Sequence, residues 1–400
     1  MMRVWALAAC VCCLAAPAAG QVLPSKPVEL AEGTVTVGGE VVGTVGADDD
    51  RAFFNYTDYE QNALRMIRLA LSAAWRPSDR VAVLGELRTE DFSHLTPYAL
   101  YVRVRPWRHL AIQAGRIPPV FGAFGRRAYG YDNPLIGYPL AYQYLTSLRP
   151  DAIPASVDDL LLMRGRGWLA HYPIGAQTED TGVPLVSAYR WDTGVEVHWD
   201  SELVEAGVAI TSGTLSNPRV DDDNGGRQVS GRVAWRPTVG LVLGVSAARG
   251  EWLDGSIKDS LSPALRDESY PQAAWGFDGE YSRDHWLVRG EIVSSRWTLP
   301  AIDAPRLDEP LRATGAYVEG RYRLTPRVFI AARTDRLGFS TVHGTLGSET
   351  WDAPVTRLEA GGGYFFQRNL VGRLVVQSNW RDGGRVEQRT YVSGQLSYWF

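Results

Sequence analysis

The 400-residue chain is poor in the residues on which disulfide-stapled, metal-binding and thiol-based proteins rely. Cysteine occurs only at Cys10, Cys12 and Cys13, all within residues 1–20. Removal of a leader there would leave no thiol for a disulfide, a redox centre or a thiolate metal site. Lysine occurs only at Lys26 and Lys258, and the formal net charge is -4. A near-balanced charge of this kind argues against nucleic acid as a partner, which would favour a basic face. Beyond the N-terminus no run approaches the length and apolarity of a membrane helix, so any span would have to be a closed β-barrel. The six histidines, His94, His109, His171, His198, His285 and His343, form no i, i+4 metal pair and lie in no nucleophile motif. No catalytic residue, metal site or cofactor is expected, and "RGRG" at 164–167 has no strand and helix around it to make a phosphate loop.

What is present begins with "MMRVWALAACVCCLAAPAAG": one positive charge at Arg3, an apolar run over 4–16, then Ala18 and Gly20 before Gln21. That order reads as a cleaved export signal at 1–20. A lipoprotein site at Cys10 is the alternative, with a much shorter apolar run in front of it. Residues 21–32 then form a short leader, and 33–400 the main body.

Through that body, alternating segments end in an aromatic residue, pass a tight turn and restart. The turns are "WRPSDRV", "RPWRHL", "WDSELV", "WRPTVGL", "YSRDHWL", "LTPRVF" and "FQRNLV", rich in the residues that make hairpin connections. Longer polar connections fall between them, at 48–60, 90–96, 117–191, 212–225, 251–270, 299–310, 338–353 and 381–384. Sixteen strands are expected, near 35–45, 66–75, 81–88, 98–105, 110–116, 192–199, 204–211, 228–235, 241–248, 274–281, 286–293, 313–324, 328–335, 357–366, 371–380 and 386–400. An even count with short and long connections alternating is the pattern of an all-β transmembrane antiparallel barrel.

The two faces agree. Ile67, Leu69, Leu71 and Trp75 share one side of a strand whose other side carries Arg68 and Ser72. Trp75, Trp199, Trp235, Tyr281, Trp286, Tyr322 and Phe366 stand beside the short turns, as an interfacial girdle would. A soluble sandwich or propeller also alternates, but explains neither the short-long order nor aromatics at one rim.

The last residues, "GQLSYWF", place Gly394, Leu396, Tyr398 and Phe400 on one face. This ending resembles the C-terminal signal by which outer-membrane proteins are recognised, which implies the barrel-assembly machinery as a partner. Together with the export signal, about sixteen strands and a long third connection, the chain resembles Gram-negative porins. The resemblance implies an outer-membrane location, contact with lipid and lipopolysaccharide, and a homotrimer. "QAGRIPPVFGAFG", 113–125, is similar to a segment of porins related to the phosphate-selective O and P group. Those porins use lysine clusters, which this chain lacks.

On the inward face this register places Arg68, Arg103, Arg105, Arg232, Arg321, Arg323, Arg357, Glu319 and Glu359. They either set a transverse field across a pore or are wall residues paired with one another. The third connection, 117–191, is too long for a plain turn. It reads as a constriction loop with Arg116, Arg126, Arg127, Arg164 and Arg166 as lining candidates, or else as an external cap or subunit contact. Its aromatics, 128–144, serve either as a sugar track or as packing within the loop. The acidic runs 48–50 and 221–223 hold divalent cations beside lipopolysaccharide or are solvated. The expected function is passive diffusion of small hydrophilic solutes with a mild anion preference. The alternatives are an outer-membrane lipase or protease barrel, and a plugged adhesion or assembly barrel.

Overall fold

A computed structural model describes residues 24–49, 52–57, 62–189, 191–300, 302–307 and 309–400. The expected signal, 1–20, and Asp50 of the first acidic run lie outside the described residues. Sixteen strands form one closed sheet: β1 (Val35–Gly46), β2 (Ile67–Ser78), β3 (Val81–Glu90), β4 (Thr96–Trp107), β5 (Leu110–Ile117), β6 (Asp192–Asp200), β7 (Val204–Thr211) and β8 (Gln228–Thr238). The series continues with β9 (Leu241–Glu251), β10 (Pro271–Arg283), β11 (Trp286–Trp297), β12 (Leu311–Arg323), β13 (Val328–Phe339), β14 (Val355–Gln367), β15 (Leu370–Arg381) and β16 (Gln388–Trp399). Each pairs antiparallel with its neighbours in sequence, and β1 pairs with β16 from Glu40↔Trp399 to Gly46↔Ser393. The expected fold class, count and order of strands are those observed.

Strands form here because period-two sequences can satisfy a lipid face and an interior face together. Val41, Val45, Leu71, Val208, Val245, Ile330 and Leu374 are exposed on the outside, while Glu40, Arg68, Ser246, Arg333 and Arg373 are buried inside. At one rim Trp75, Trp199, Trp235, Tyr281, Trp286 and Phe366 are all exposed. Proline sets the strand ends there. In Trp75-Arg76-Pro77 and Trp235-Arg236-Pro237 the ladder slips by a bulge, since proline has no N–H to contribute. The residue before each proline bonds across the rim, Arg76 N to Thr34 O at 2.7 Å and Arg236 N to Leu203 O at 2.8 Å.

The seam between β1 and β16 has its own fittings. Phe400 N donates to Gly39 O at 3.0 Å and Gly39 N donates to Phe400 O at 3.1 Å. A Cβ on Gly39 would meet the Phe400 ring at 2.8 Å, so the approach requires glycine. Below that point a short leader strand, Val28–Leu30, takes over the pairing with Val35, Thr36 and Val37. Tyr398 Oη and Asn369 Nδ2 both donate to Pro24 O, at 2.7 and 2.9 Å. Last strand and leader together leave no open edge at the seam.

Removing Phe400 takes away two backbone hydrogen bonds and the ring over Gly39. We expect its deletion to lower the yield of heat-modifiable folded barrel on gels, and Phe400→Ala to do so less. An unchanged folded fraction would show that the β1–β16 ladder and the leader hold the seam without it.

Candidate functional site

The interior of the barrel is where polar chemistry is concentrated, and the connection between β5 and β6 enters it. Near the rim of short turns, the Arg126 guanidinium reaches Glu196 at 3.1 Å and Glu205 at 3.6 Å, and Arg127 pairs with Glu280. Tyr129 Oη donates to Glu86 at 2.9 Å, Tyr131 N to Glu40 at 3.0 Å, and Arg373 donates to Gly130 O at 2.6 Å. Arg289 binds Asp132 at 3.0 Å. Residues 126–132 therefore touch walls on opposite sides of the barrel. Residues 133–144 follow without one exposed position. Leu140, Ala141, Tyr142 and Tyr144 pack there with Val293, Ala313, Ala331 and Val375 of the wall.

One guanidinium organises the middle. Arg333 donates to Glu359 at 2.6 Å, Asp335 at 2.9 Å and Glu319 at 3.2 Å, and to the loop carbonyl of Gly137 at 2.7 Å. Glu359 in turn accepts the N–H groups of Ile136 and Gly137 at 3.2 and 2.9 Å. Arg357 binds Tyr138 O at 2.9 Å, Gln143 Oε1 at 3.0 Å and Phe54 O at 2.6 Å. Charges removed from water are tolerable only when paired and hydrogen-bonded, which is the arrangement here. A Cβ on Gly137 would lie 2.5 Å from Gln377 Nε2, so the backbone seats itself directly on the wall. Toward the other rim, Asp352 accepts the N–H groups of Ser147 and Gly165, each at 2.7 Å. Burial pushes its carboxyl above the usual range, against the pull of those donors. On every strand, from Glu40 on β1 through Glu196 on β6 and Arg333 on β13 to Ser393 on β16, at least one inward side chain is buried. Open space remains at the short-turn rim, in cavities of about 530 Å³ and 670 Å³.

Several solved structures are similar in fold. An anion-selective porin from Comamonas acidovorans matches at TM-score 0.58 with 10% identity, over 92% of this chain and 99% of that one. OmpF of Salmonella typhi, in a complex with daunomycin, matches at 0.53 and 12%, over 92% and 97%. A loop-deletion form of OmpT, an outer membrane protein of Vibrio cholerae, matches at 0.54 and 11%, over 92% and 99%. The chain has the porin fold. No protein-family model and no curated protein matches its sequence.

Within the porin fold, the residues singled out from sequence fall into five groups. Arg68, Arg232, Arg357, Glu319 and Glu359 are on the inner wall: Arg68 pairs with Glu90 at 2.6 Å, Arg232 with Asp278 at 2.6 Å, and Glu319 and Glu359 with Arg333, while Arg357 is held by carbonyl and amide oxygens. Arg103 and Arg105 line the 530 Å³ cavity beside Arg108 and Arg126, while Arg321 and Arg323 stand near the turn after β12. Arg126 and Arg127 meet the wall inside the barrel. The remaining three loop arginines are elsewhere. Arg116 is in register with Leu100, which faces outward, so its parity turns it from the lumen, and its Nε donates to Trp191 O at 3.0 Å. Arg164 reaches Thr350 at 3.0 Å and Asp382 at 3.3 Å, and Arg166 is exposed. Both belong to the outer loop cluster, because residues 145–189 have already climbed back to the long-loop rim. The five do not form one ring. Gly394, Leu396 and Tyr398 lie along the seam, with Gly394 opposite Val45.

Gly137, Tyr138 and Gln143 carry the loop side of the joint that Arg333 and Arg357 hold from the wall, and they were not singled out as site residues. The signal available was the run 133–144, which holds no charged residue inside an otherwise polar connection. Arg333→Ala would strand three buried carboxylates. We expect a loss of roughly 3–5 kcal/mol in detergent unfolding, with new protease cleavage between 118 and 191. Unchanged unfolding and cleavage would mean the loop is held by apolar packing alone.

Proposed function

We propose that the chain is an outer-membrane porin-type channel, passive and without bond chemistry, in which residues 118–191 restrict passage to small hydrophilic solutes. The observation that carries this reading is the insertion of that connection into a polar lumen, bonded to walls on opposite sides. A loop so placed controls the cross-section, since sixteen strands without it enclose a water channel. Its position also supports a location with long connections outside the cell and short turns in the periplasm. Export by a cleaved signal, delivery to the assembly machinery through Phe400, contact with lipopolysaccharide and a trimeric state complete the proposal.

An anion bias is part of it. Arg68, Arg127, Arg232, Arg289 and Arg333 are neutralised by neighbouring carboxylates, whereas Arg103, Arg105 and Arg108 at the short-turn rim bond no carboxylate among the described residues. Surplus positive charge at a mouth concentrates anions before they enter.

A plugged barrel for adhesion or assembly is the second reading, favoured by the unbroken burial of residues 133–144. Planar-bilayer recording decides between them. The channel reading expects low, steady conductance, raised severalfold by deletion of 128–163, and a reversal potential moved toward cations by joint replacement of Arg103, Arg105 and Arg108 with glutamine. The plugged reading expects silence in the intact protein and conductance only after the deletion. Hydrolysis of lipid or peptide by the purified barrel would overturn both.

A further inference from the structure

On the outer wall, exposed arginines gather at the long-loop ends of five consecutive strands. Arg249 on β9, Arg296 on β11, Arg312 on β12 and Arg336 on β13 all carry outward parity and are exposed. Each lies within three residues of the end of its strand. Three of them stand in one register row, Arg249↔Ala273↔Arg296↔Arg312. The row continues to Ser340, whose N–H donates to Arg312 O at 2.8 Å.

Two physical facts make this row unusual. Arg296 and Arg312 are directly opposed across the β11–β12 ladder, and like charges in that position repel unless an anion lies between them. No carboxylate bonds any of the four guanidiniums among the described residues. Glu251, two residues beyond Arg249 on β9, is turned to Ser269 and to the N–H of Tyr270 at 2.9 Å. At the same end of other strands the outward positions include Val45, Ile67, Ile210, Val229, Thr356 and Thr390, and Arg116 on β5 is half-buried and bonded to Trp191 O.

The surface around the pair is a recess of about 490 Å³, bounded by Arg296, Arg312, Ser294, Thr314 and Trp275. Thr314 Oγ1 donates to Ser294 Oγ at 3.2 Å on its floor. Immediately toward the membrane centre the wall turns apolar, with Val245, Phe277 and Val318 exposed. Cationic forks, hydroxyls and an interfacial tryptophan therefore sit directly above a lipid-facing belt.

We propose that this recess binds the phosphorylated sugar headgroup of an outer-leaflet glycolipid, the lipid portion of lipopolysaccharide, with its acyl chains on the belt below. The proposal rests on the outer-membrane orientation given above. Arg296 and Arg312 clamp one phosphate, since paired guanidiniums match its oxygens. Arg249, two strands from Arg296 in the same row, and Arg336, on the strand beside Arg312, flank the pair for further groups of the headgroup, and Ser294 and Thr314 meet sugar hydroxyls. The bound anion also removes the Arg296–Arg312 repulsion, so glycolipid binding and barrel stability are linked.

The test uses the full mature barrel in detergent, titrated with bis-phosphorylated lipid A, its dephosphorylated form, phosphatidylglycerol and inorganic phosphate, with thermal unfolding and native mass spectrometry as readouts. Bis-phosphorylated lipid A should raise the unfolding temperature and remain bound, whereas the dephosphorylated form and inorganic phosphate should do neither. The double variant R296Q/R312Q should weaken that binding by about tenfold or more, and R108Q, at the opposite rim, should leave it unchanged. Loss of repulsion in the double variant should also stabilise the lipid-free barrel, a change that misfolding would not produce. Equal binding of dephosphorylated lipid A, or undiminished binding by the double variant, overturns the proposal. Saturable stabilisation by inorganic phosphate alone overturns the lipid assignment. Equal affinity for phosphatidylglycerol overturns the outer-leaflet assignment while leaving conductance, and the channel reading, untouched.

Discussion

The rest of the structure depends on one requirement: in hydrocarbon, every backbone N–H and C=O must find a partner within the protein. A sheet meets it only by closing. The contact that closes this one is the pairing of β1 with β16, extended by Phe400 against Gly39 and then by the leader strand against Val35, Thr36 and Val37. Once closed, the sheet forces alternate side chains inward, and a mixed population of arginine and carboxylate becomes the lining of a confined space.

That confinement explains the third connection. An empty lumen would leave these charges in water and paired only loosely. The inserted residues replace much of that water with their own backbone groups and aromatic rings. Arg333 binds three carboxylates from β12, β13 and β14 and a loop carbonyl, so wall and loop are held by one node. The same node makes loop movement costly, because opening would expose carboxylates that the guanidinium now satisfies. The outer wall shows the opposite case, where the opposed Arg296 and Arg312 have no such counter-charge among the described residues.

Parity was legible residue by residue. Leu69 and Arg68 take opposite sides because successive Cβ atoms must, and the seven short turns set the register of the strands they join. Thus Glu319 lies opposite Arg333 across the tight turn after β12. The pairing of Arg333 with Glu359 was not legible, since it depends on the register across the long connection 340–354. Arg116 shows the same limit from another side. Its parity within β5 turns it outward, but its place at the strand end made it read as part of the loop.

By itself, the sequence determined the barrel, its strand order, which face meets lipid and which rim carries the aromatic girdle, because each follows from a repeat of two and from local turn chemistry. Only the tertiary structure decided where residues 118–191 go, which arginines share a neighbourhood and which carboxylates neutralise them. Those outcomes depend on contacts between residues far apart in the chain, such as Arg357 with Phe54 and Asp352 with Gly165. No local periodicity encodes such meetings, since they arise only after the sheet has closed and brought distant strands to face one another across the lumen.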